Sequence, residues 1–387
     1  MIKELTDKYI CNTYNRKDVV FIKGKGATLV SETGDKYIDF GSGIGINALG
    51  IKNKQWTKAL IKQIHKLSHT SNLYYTEPAS LLAEKLCKLT GYKKVFFANS
   101  GAEANECAIK TARKYSLDKY GNDRNEIISL TNSFHGRTIA TLSLTGQEKF
   151  HKDFMPFLDG FKYVDINDIK MLKKRISKKT CAIYLELIQG EGGVNVLDLD
   201  YVTEIRKICD EKDILMIVDE VQTGNGRTGK LYAYQHFNVK PDILTTAKGL
   251  GNGLPVSCVM FNKKTMNTLT PGSHGCTFGG NPIICAGAVA FLNQLTPDFL
   301  NSVTEKGNYI KNKLLKIDGI TNVTGMGLMI GVEVDLDPQK VIDKCFDNKL
   351  LVLFANDKVR LLPSLNISYK EIDKGIELFK KSMEDLK

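Results

Sequence analysis

Apolar residues arrive along this chain in two rhythms. In the middle, "KVFFANS" (94–100), "EIISL" (126–130), "CAIYLELI" (181–188), "ILMIVDE" (214–220) and "DILTTA" (242–247) are short runs with few polar interruptions. A strand with one wet face alternates apolar and polar positions, so an uninterrupted run marks a strand covered on both faces. Between these runs the spacing becomes helical: Leu82, Leu86 and Leu89 form one stripe, and Val202, Ile205, Ile208 and Cys209 another. Pro78 suits a first helical turn and Gly91 a helix stop. Strands alternating with helices predict an α/β fold with a mainly parallel central sheet.

The pattern changes in the last hundred residues. A helical stretch at "GNYIKNKLLKI" leads into the glycine-punctuated strands of "NVTGMGLMIGVEV", and a closing helix carries Ile372, Ile376, Phe379 and Met383 on one stripe. This reads as a smaller α+β domain. The first fifty residues, with a hairpin expected around Glu32–Asp35, are expected to pack against it. The predicted organisation is an N-terminal segment at 1–50, a large domain at 51–275 and a small domain at 276–387.

Composition narrows the classes. With 42% apolar and 25% charged residues, the 387-residue chain is that of a globular protein. No run reaches the roughly 18 apolar residues of a membrane span, and "IICAGAVAFL" (283–292) reads as a buried helix. Nine scattered cysteines without a C-x-x-C, and a start without an apolar leader, fit a cytoplasmic enzyme with reduced thiols and no metal site. The net charge is +11 (54 basic minus 43 acidic). The basic residues are dispersed in pairs and no recognition motif accompanies them, so they read as a solvated surface rather than a nucleic-acid or membrane footprint.

"ILMIVDEVQTGNGRTGKL" (214–231) offers three phosphate sites that exclude one another. A P-loop fails because Leu231 stands where the Mg²⁺-binding Ser or Thr belongs. A dinucleotide fingerprint needs a turn directly from strand to helix, and "DEVQT" intervenes; a nicotinamide-dependent oxidoreductase remains only a remote alternative. What survives is an acid, Asp219, at a strand end. Downstream, in "DILTTAKGLGNGLP", Lys248 follows another buried strand, where poor solvation lowers an amine's pKa. A lysine and an acid at neighbouring strand ends match the needs of pyridoxal 5'-phosphate, an aldehyde to be held and a pyridine nitrogen to be kept protonated. Ser100-Gly101-Ala102 at a helix start can cradle its phosphate, and Phe134 or His135 can cover its ring.

These residues carry a resemblance. "NSGAEANECAIKTARKY", "SFHGRT", "IQGEGGV", "IVDEVQTGNGRTG", "PDILTTAKGLGNGLP" and "HGCTFGGNP" stand in the order typical of class III (ornithine-type) pyridoxal phosphate aminotransferases. The resemblance implies fold type I and a homodimer with shared active sites. It implies Lys248 as the catalytic amine, Asp219 at the pyridine nitrogen and Gln222 at the phenolic oxygen. Phe134 would lie on the ring, Ser100, Gly101 and Ala102 on the phosphate, and Thr277 on the phosphate of the neighbouring subunit. For substrates it implies Arg137 and Arg360 as carboxylate clamps, Glu191 as the acid that masks Arg360, and Cys276 beside the pocket where many relatives have serine. Within the class, "SNLYYTEPASLLAEKL" and "FHGRT" look most like the enzymes that exchange the amino group of N-acetylornithine with 2-oxoglutarate in arginine biosynthesis. Ornithine, succinylornithine, succinyl-diaminopimelate and 4-aminobutyrate are the competing amines.

Overall fold

Four of the five uninterrupted apolar runs become inner strands of one sheet in the computed structural model, which describes residues 1–387; "KVFFANS", expected to be covered on both faces, instead forms an edge strand in which only Ala98 is fully buried. Ahead of that sheet, β1 (Phe21–Lys25), β2 (Thr28–Ser31) and β3 (Lys36–Asp39) form an antiparallel meander whose second turn falls at 32–35, as the sequence predicts. There follow α1 (Glu77–Thr90), β4 (Lys94–Ala98), α2 (Gly101–Tyr120), β5 (Glu126–Leu130), β6 (Phe161–Val164) and β7 (Thr180–Leu185). Then come α3 (Leu199–Lys212), β8 (Leu215–Asp219), β9 (Ile243–Thr246) and β10 (Ser257–Phe261). The large sheet has the order β4-β10-β9-β8-β7-β5-β6, and only β10 runs against its neighbours.

Every residue of β7, β8 and β9 is buried, which is why their sequences show no alternation. Tyr184, Leu215 and Ile217 face a core shared with Ala104, Cys107 and Ala108 of α2. Ile183, Leu185, Met216 and Val218 face the opposite core, with Val202 and Ile205 of α3. Each buried valine, leucine, isoleucine or methionine among them contributes roughly 1.5–3 kcal/mol on burial. Gly91 ends α1 in the left-handed conformation (φ 71°), its N–H bonded to the Cys87 carbonyl. Leu82 and Leu86 are buried, but Leu89 curls away and is 46% exposed.

The C-terminal region begins with α4 (Pro282–Leu292), which packs on the helix Lys54–Ile64 and on α1. After α5 (Pro297–Leu314), strands β11 (Ile320–Met326) and β12 (Met329–Val334) pair antiparallel. Beyond them lie α6 (Pro338–Asp347), β13 (Leu350–Leu351), β14 (Leu353–Ala355), β15 (Lys358–Leu361) and α7 (Tyr369–Glu384). The second sheet has the order β11-β12-β15-β14, while β13 joins β3 in parallel, Leu350 opposite Ile38. The chain's two ends therefore share a sheet. The α7 stripe of Ile372, Ile376, Phe379 and Met383 is buried, as its spacing predicts. No single helix is long and apolar enough to cross a membrane.

Candidate active site

Parallel strands all point their C-terminal ends the same way, and the residues just beyond those ends meet in one crevice. Ser100, Gly101 and Ala102 follow β4, Phe134, His135 and Arg137 follow β5, and Glu186 follows β7. Asp219, Val221 and Gln222 come from the end of β8, and Ala247 and Lys248 from the end of β9. They line a cavity of about 510 Å³. Of the residues singled out from the sequence, Glu191 and Arg360 lie behind this wall, and Cys276 and Thr277 lie outside it.

The glycine loop after Asp219 holds protein rather than phosphate. Arg227 is buried and its Nη1 donates to the carbonyls of Leu328 and Pro363. Asn225 donates from Nδ2 to Thr246 Oγ1 (2.8 Å) and to the Ala247 carbonyl (3.0 Å), fixing the backbone just ahead of Lys248. Glu220, the second acid of the pair, accepts from Thr223 Oγ1 and from the Ala233 and Tyr234 amides. Burial pushes its carboxyl up to about 7. It is a brace, and Asp219 alone faces the cavity.

Asp219 is held on both oxygens. Oδ1 accepts from the Val221 amide at 2.9 Å, and Oδ2 from Asn105 Nδ2 at 2.8 Å, with His135 Nδ1 also 2.8 Å away. Tyr184 donates to Asn105 Oδ1 at 2.7 Å, which orients the amide so that its NH₂ faces the acid. The His135 ring is thereby committed beneath the site, leaving Phe134 as the half-buried aromatic on the wall. Sequence reading overlooked Asn105 and Tyr184. A signal existed: Asn105 lies on the helix face otherwise made of Ala104, Cys107 and Ala108, where an amide needs a partner.

Lys248 stands in the left-handed region (φ 43°), a conformation that costs a non-glycine residue about 1–3 kcal/mol and persists where the surroundings impose it. Burial lowers its pKa, partly offset by Glu191. Asn252, four residues on, also adopts a left-handed φ of 46°, and its Oδ1 accepts from the Leu49 amide.

At the other end of the cavity, α2 opens with a capping box: Ser100 Oγ accepts from the Glu103 amide, while the Glu103 carboxylate takes the Asn99 and Ser100 amides. The amides of Gly101 and Ala102 find no acceptor in the chain, so two N–H donors at the positive end of a 20-residue helix face the cavity. Position 101 must be glycine because a Cβ there would lie 2.8 Å from Val221 Cγ1.

Two arginines stand in opposite states. Arg360 is buried and its Nη1 donates to the Gly190 carbonyl (2.7 Å), Glu191 Oε1 (2.8 Å) and Gln222 Oε1 (2.9 Å). Burial raises the Glu191 carboxyl, but Arg360 beside it outweighs this and holds it below its usual range. Gln222 thus faces Arg360 as well as the cavity. Arg137 is exposed and makes neither hydrogen bond nor ion pair; only the rings of Phe134 (5.7 Å) and Phe150 (4.2 Å) lie against it. Cys276 sits on the outer side of the helix start, its Sγ 3.2 Å from Asn99 Nδ2 and 3.6 Å from Glu103 Oε1, and burial together with Glu103 raises its pKa. Thr277 is exposed.

A buried acid, a desolvated amine, two unspent helix amides and an aromatic wall around one cavity are what a pyridoxal phosphate enzyme of fold type I requires, and these residues fit that cofactor. Comparison with known proteins agrees. The aminotransferase class-III family model matches residues 10–383, and the chain belongs to that family of pyridoxal-phosphate-dependent aminotransferases. It is 48% identical to acetylornithine aminotransferase from Haemophilus ducreyi, over 100% of this chain and 99% of that one. Among solved structures, the ornithine aminotransferase of Toxoplasma gondii superposes with a TM-score of 0.95 at 33% identity, covering 100% of this chain and 94% of that one. The N-acetylornithine aminotransferase of Stenotrophomonas maltophilia gives 0.86 at 32% identity, with 99% and 98% covered.

Proposed function

We propose that this aminotransferase carries the terminal amino group of N-acetylornithine to 2-oxoglutarate, yielding N-acetylglutamate 5-semialdehyde and glutamate in cytoplasmic arginine biosynthesis. Full-length similarity to enzymes named for acetylornithine supports the amine. The observation that carries the reading is the unequal state of the two arginines. N-acetylornithine presents one carboxylate and a distant amine, so it needs one free cation, which Arg137 supplies. Glutamate presents two carboxylates, and the second needs Arg360 released from Glu191. Guanidinium suits both tasks because it pairs with carboxylate bidentately.

Bound pyridoxal phosphate supplies an electron-poor ring that accepts the electron pair freed when the substrate's amino-bearing carbon loses its proton. Lys248 Nζ holds the cofactor and moves that proton, a task its lowered pKa favours. Asp219, steadied by Asn105, His135 and the Val221 amide, keeps the pyridine nitrogen protonated; its charge acts strongly because the site is dry. The Gly101 and Ala102 amides bind the phosphate, with Ser100, whose own donors go to Glu103, capping the helix that presents them; Phe134 covers the ring and Gln222 meets the phenolic oxygen. Cys276, beside Thr277 and outside its own cavity, would border the acyl end of the substrate only in the site of a second copy. Thr277 serves the phosphate of a second copy of the chain. An exposed apolar surface that includes Leu73, Tyr74, Tyr75 and Phe278 supports such a homodimer.

The test is a panel of kcat/KM values for N-acetylornithine, succinylornithine, ornithine and 4-aminobutyrate with 2-oxoglutarate. N-acetylornithine should lead. A higher value for free ornithine or 4-aminobutyrate would reject the substrate assignment.

A further inference from the structure

The loop after β5 touches a segment to which the sequence assigned no role. Thr131 bridges to Gly146, the Asn132 amide donates to the Gly146 carbonyl, and Ser133 Oγ accepts from the Gly146 amide. Gln147 Nε2 donates to the Ser133 carbonyl at 3.0 Å. These bonds pin the single 3₁₀ turn Glu148–Phe150 against the loop that carries Phe134 and Arg137. The half-buried ring of Phe150 meets Phe134 edge-on, with centroids 5.8 Å apart and planes at 70°. Its face takes the Arg137 guanidinium at 4.2 Å, with Lys149 Nζ at 5.1 Å from the same centroid.

We infer that Phe150 is a positioning residue for substrate recognition, holding the Arg137 guanidinium at the cavity mouth so that its N–H groups are spent on nothing before a carboxylate arrives. The inference rests on the proposed role of Arg137 as the substrate-carboxylate clamp. Its physical basis is a choice among ways of fixing a long cation. An acidic neighbour would fix Arg137 but consume the donors and charge that the substrate needs. An aromatic face attracts the cation through its quadrupole and accepts no conventional hydrogen bond, so the donors stay available. An exposed arginine left unrestrained would lose several rotatable bonds' worth of freedom on binding; one already resting on a ring loses less.

The experiment uses the enzyme loaded with pyridoxal phosphate and compares kcat/KM for N-acetylornithine with that for 4-acetamidobutan-1-amine, the same amine without its carboxylate. Phe150→Leu and Phe150→Met keep apolar bulk and remove the π face, while Phe150→Tyr keeps it. The carboxylate preference, the ratio of the two values, should fall about tenfold in the Leu and Met variants, equivalent to about 1.4 kcal/mol. The loss should lie in KM for N-acetylornithine, with kcat near wild type and Phe150→Tyr retaining the preference. Arg137→Lys is the control and should lower the ratio further. A ratio unchanged in Phe150→Leu or Phe150→Met while Arg137→Lys collapses it overturns the positioning role alone. Equal losses for both amines make Phe150 a purely structural residue and overturn it as well. A ratio indifferent to Arg137→Lys rejects the clamp itself.

Discussion

Lys248 combines two penalties that a structural residue would avoid: a left-handed backbone and a desolvated amine. They can be separated in the cofactor-free protein. Because the folded pKa is lowered from 10.5, the unfolded chain binds the proton more tightly, and stability is lost as pH falls from 10.5 through the folded value. Lys248→Ala removes that proton linkage, so apo Lys248→Ala should exceed the wild type in urea midpoint at pH 7 and lose its lead as pH approaches 10.5. Lys248→Gly also relieves the backbone, and should add about 1 kcal/mol over Lys248→Ala at every pH. A pH-independent difference between wild type and Lys248→Ala would show that the amine is not desolvated. In the cofactor-loaded enzyme either change should reduce turnover by orders of magnitude.

At the scale of elements, the start of α2 is where backbone and ligand compete for the same space. Gly101→Ala would place a Cβ 2.8 Å from Val221 Cγ1, close to where two amides stand unpaired. Relief requires either the helix start or the Asp219–Gln222 segment to shift. The expected outcome is a loss of about 1–3 kcal/mol in stability together with weaker cofactor binding, roughly tenfold or more, read by titrating pyridoxal phosphate against absorbance. Unaltered affinity would dissociate the Gly101 turn from the phosphate.

The same scale shows what could be read from sequence. Strands β5, β7, β8 and β9 were visible because burial on both faces erases alternation, and α1, α3 and α7 because burial on one side imposes it. β6 was not: "FKYV" is a mixed edge strand of four residues. β10 was missed because "SCVMF" follows a glycine- and proline-rich connection that holds only a short 3₁₀ turn and no α-helix, so nothing announced a strand inserted antiparallel between β4 and β9. Among site residues, those next to glycines and strand ends were legible from their setting. Asn105, Tyr184, Asn225 and Phe150 were not, because their work is to hold another side chain, and that is a property of proximity rather than of local pattern.

At the scale of the whole molecule, Thr277 is exposed and outside its own cavity, so the proposal that it serves a neighbour has a sharp consequence. Lys248→Ala and Thr277→Glu homodimers should both be inactive, the second because a carboxylate would face phosphate. Mixed dimers contain one site with Lys248 from one chain and Thr277 from the other. Dissociating and reassociating the two variants should therefore restore up to about half of the wild-type activity per hybrid dimer, a fraction fixed by site counting under the symmetry of a closed pair. Failure to regain activity, with hybrids verified by differential tagging, would confine each site to one chain.

Arg360 reaches Gly190 and Glu191 across some 170 positions of sequence, from the last strand of the chain. Contacts so distant form late in folding. A chain still emerging from the ribosome thus holds every residue lining its B6 cavity, and the masking acid Glu191, before it owns the second carboxylate clamp, Arg360. Refolding followed in real time should return the yellow colour first and discrimination between mono- and dicarboxylic substrates only afterwards.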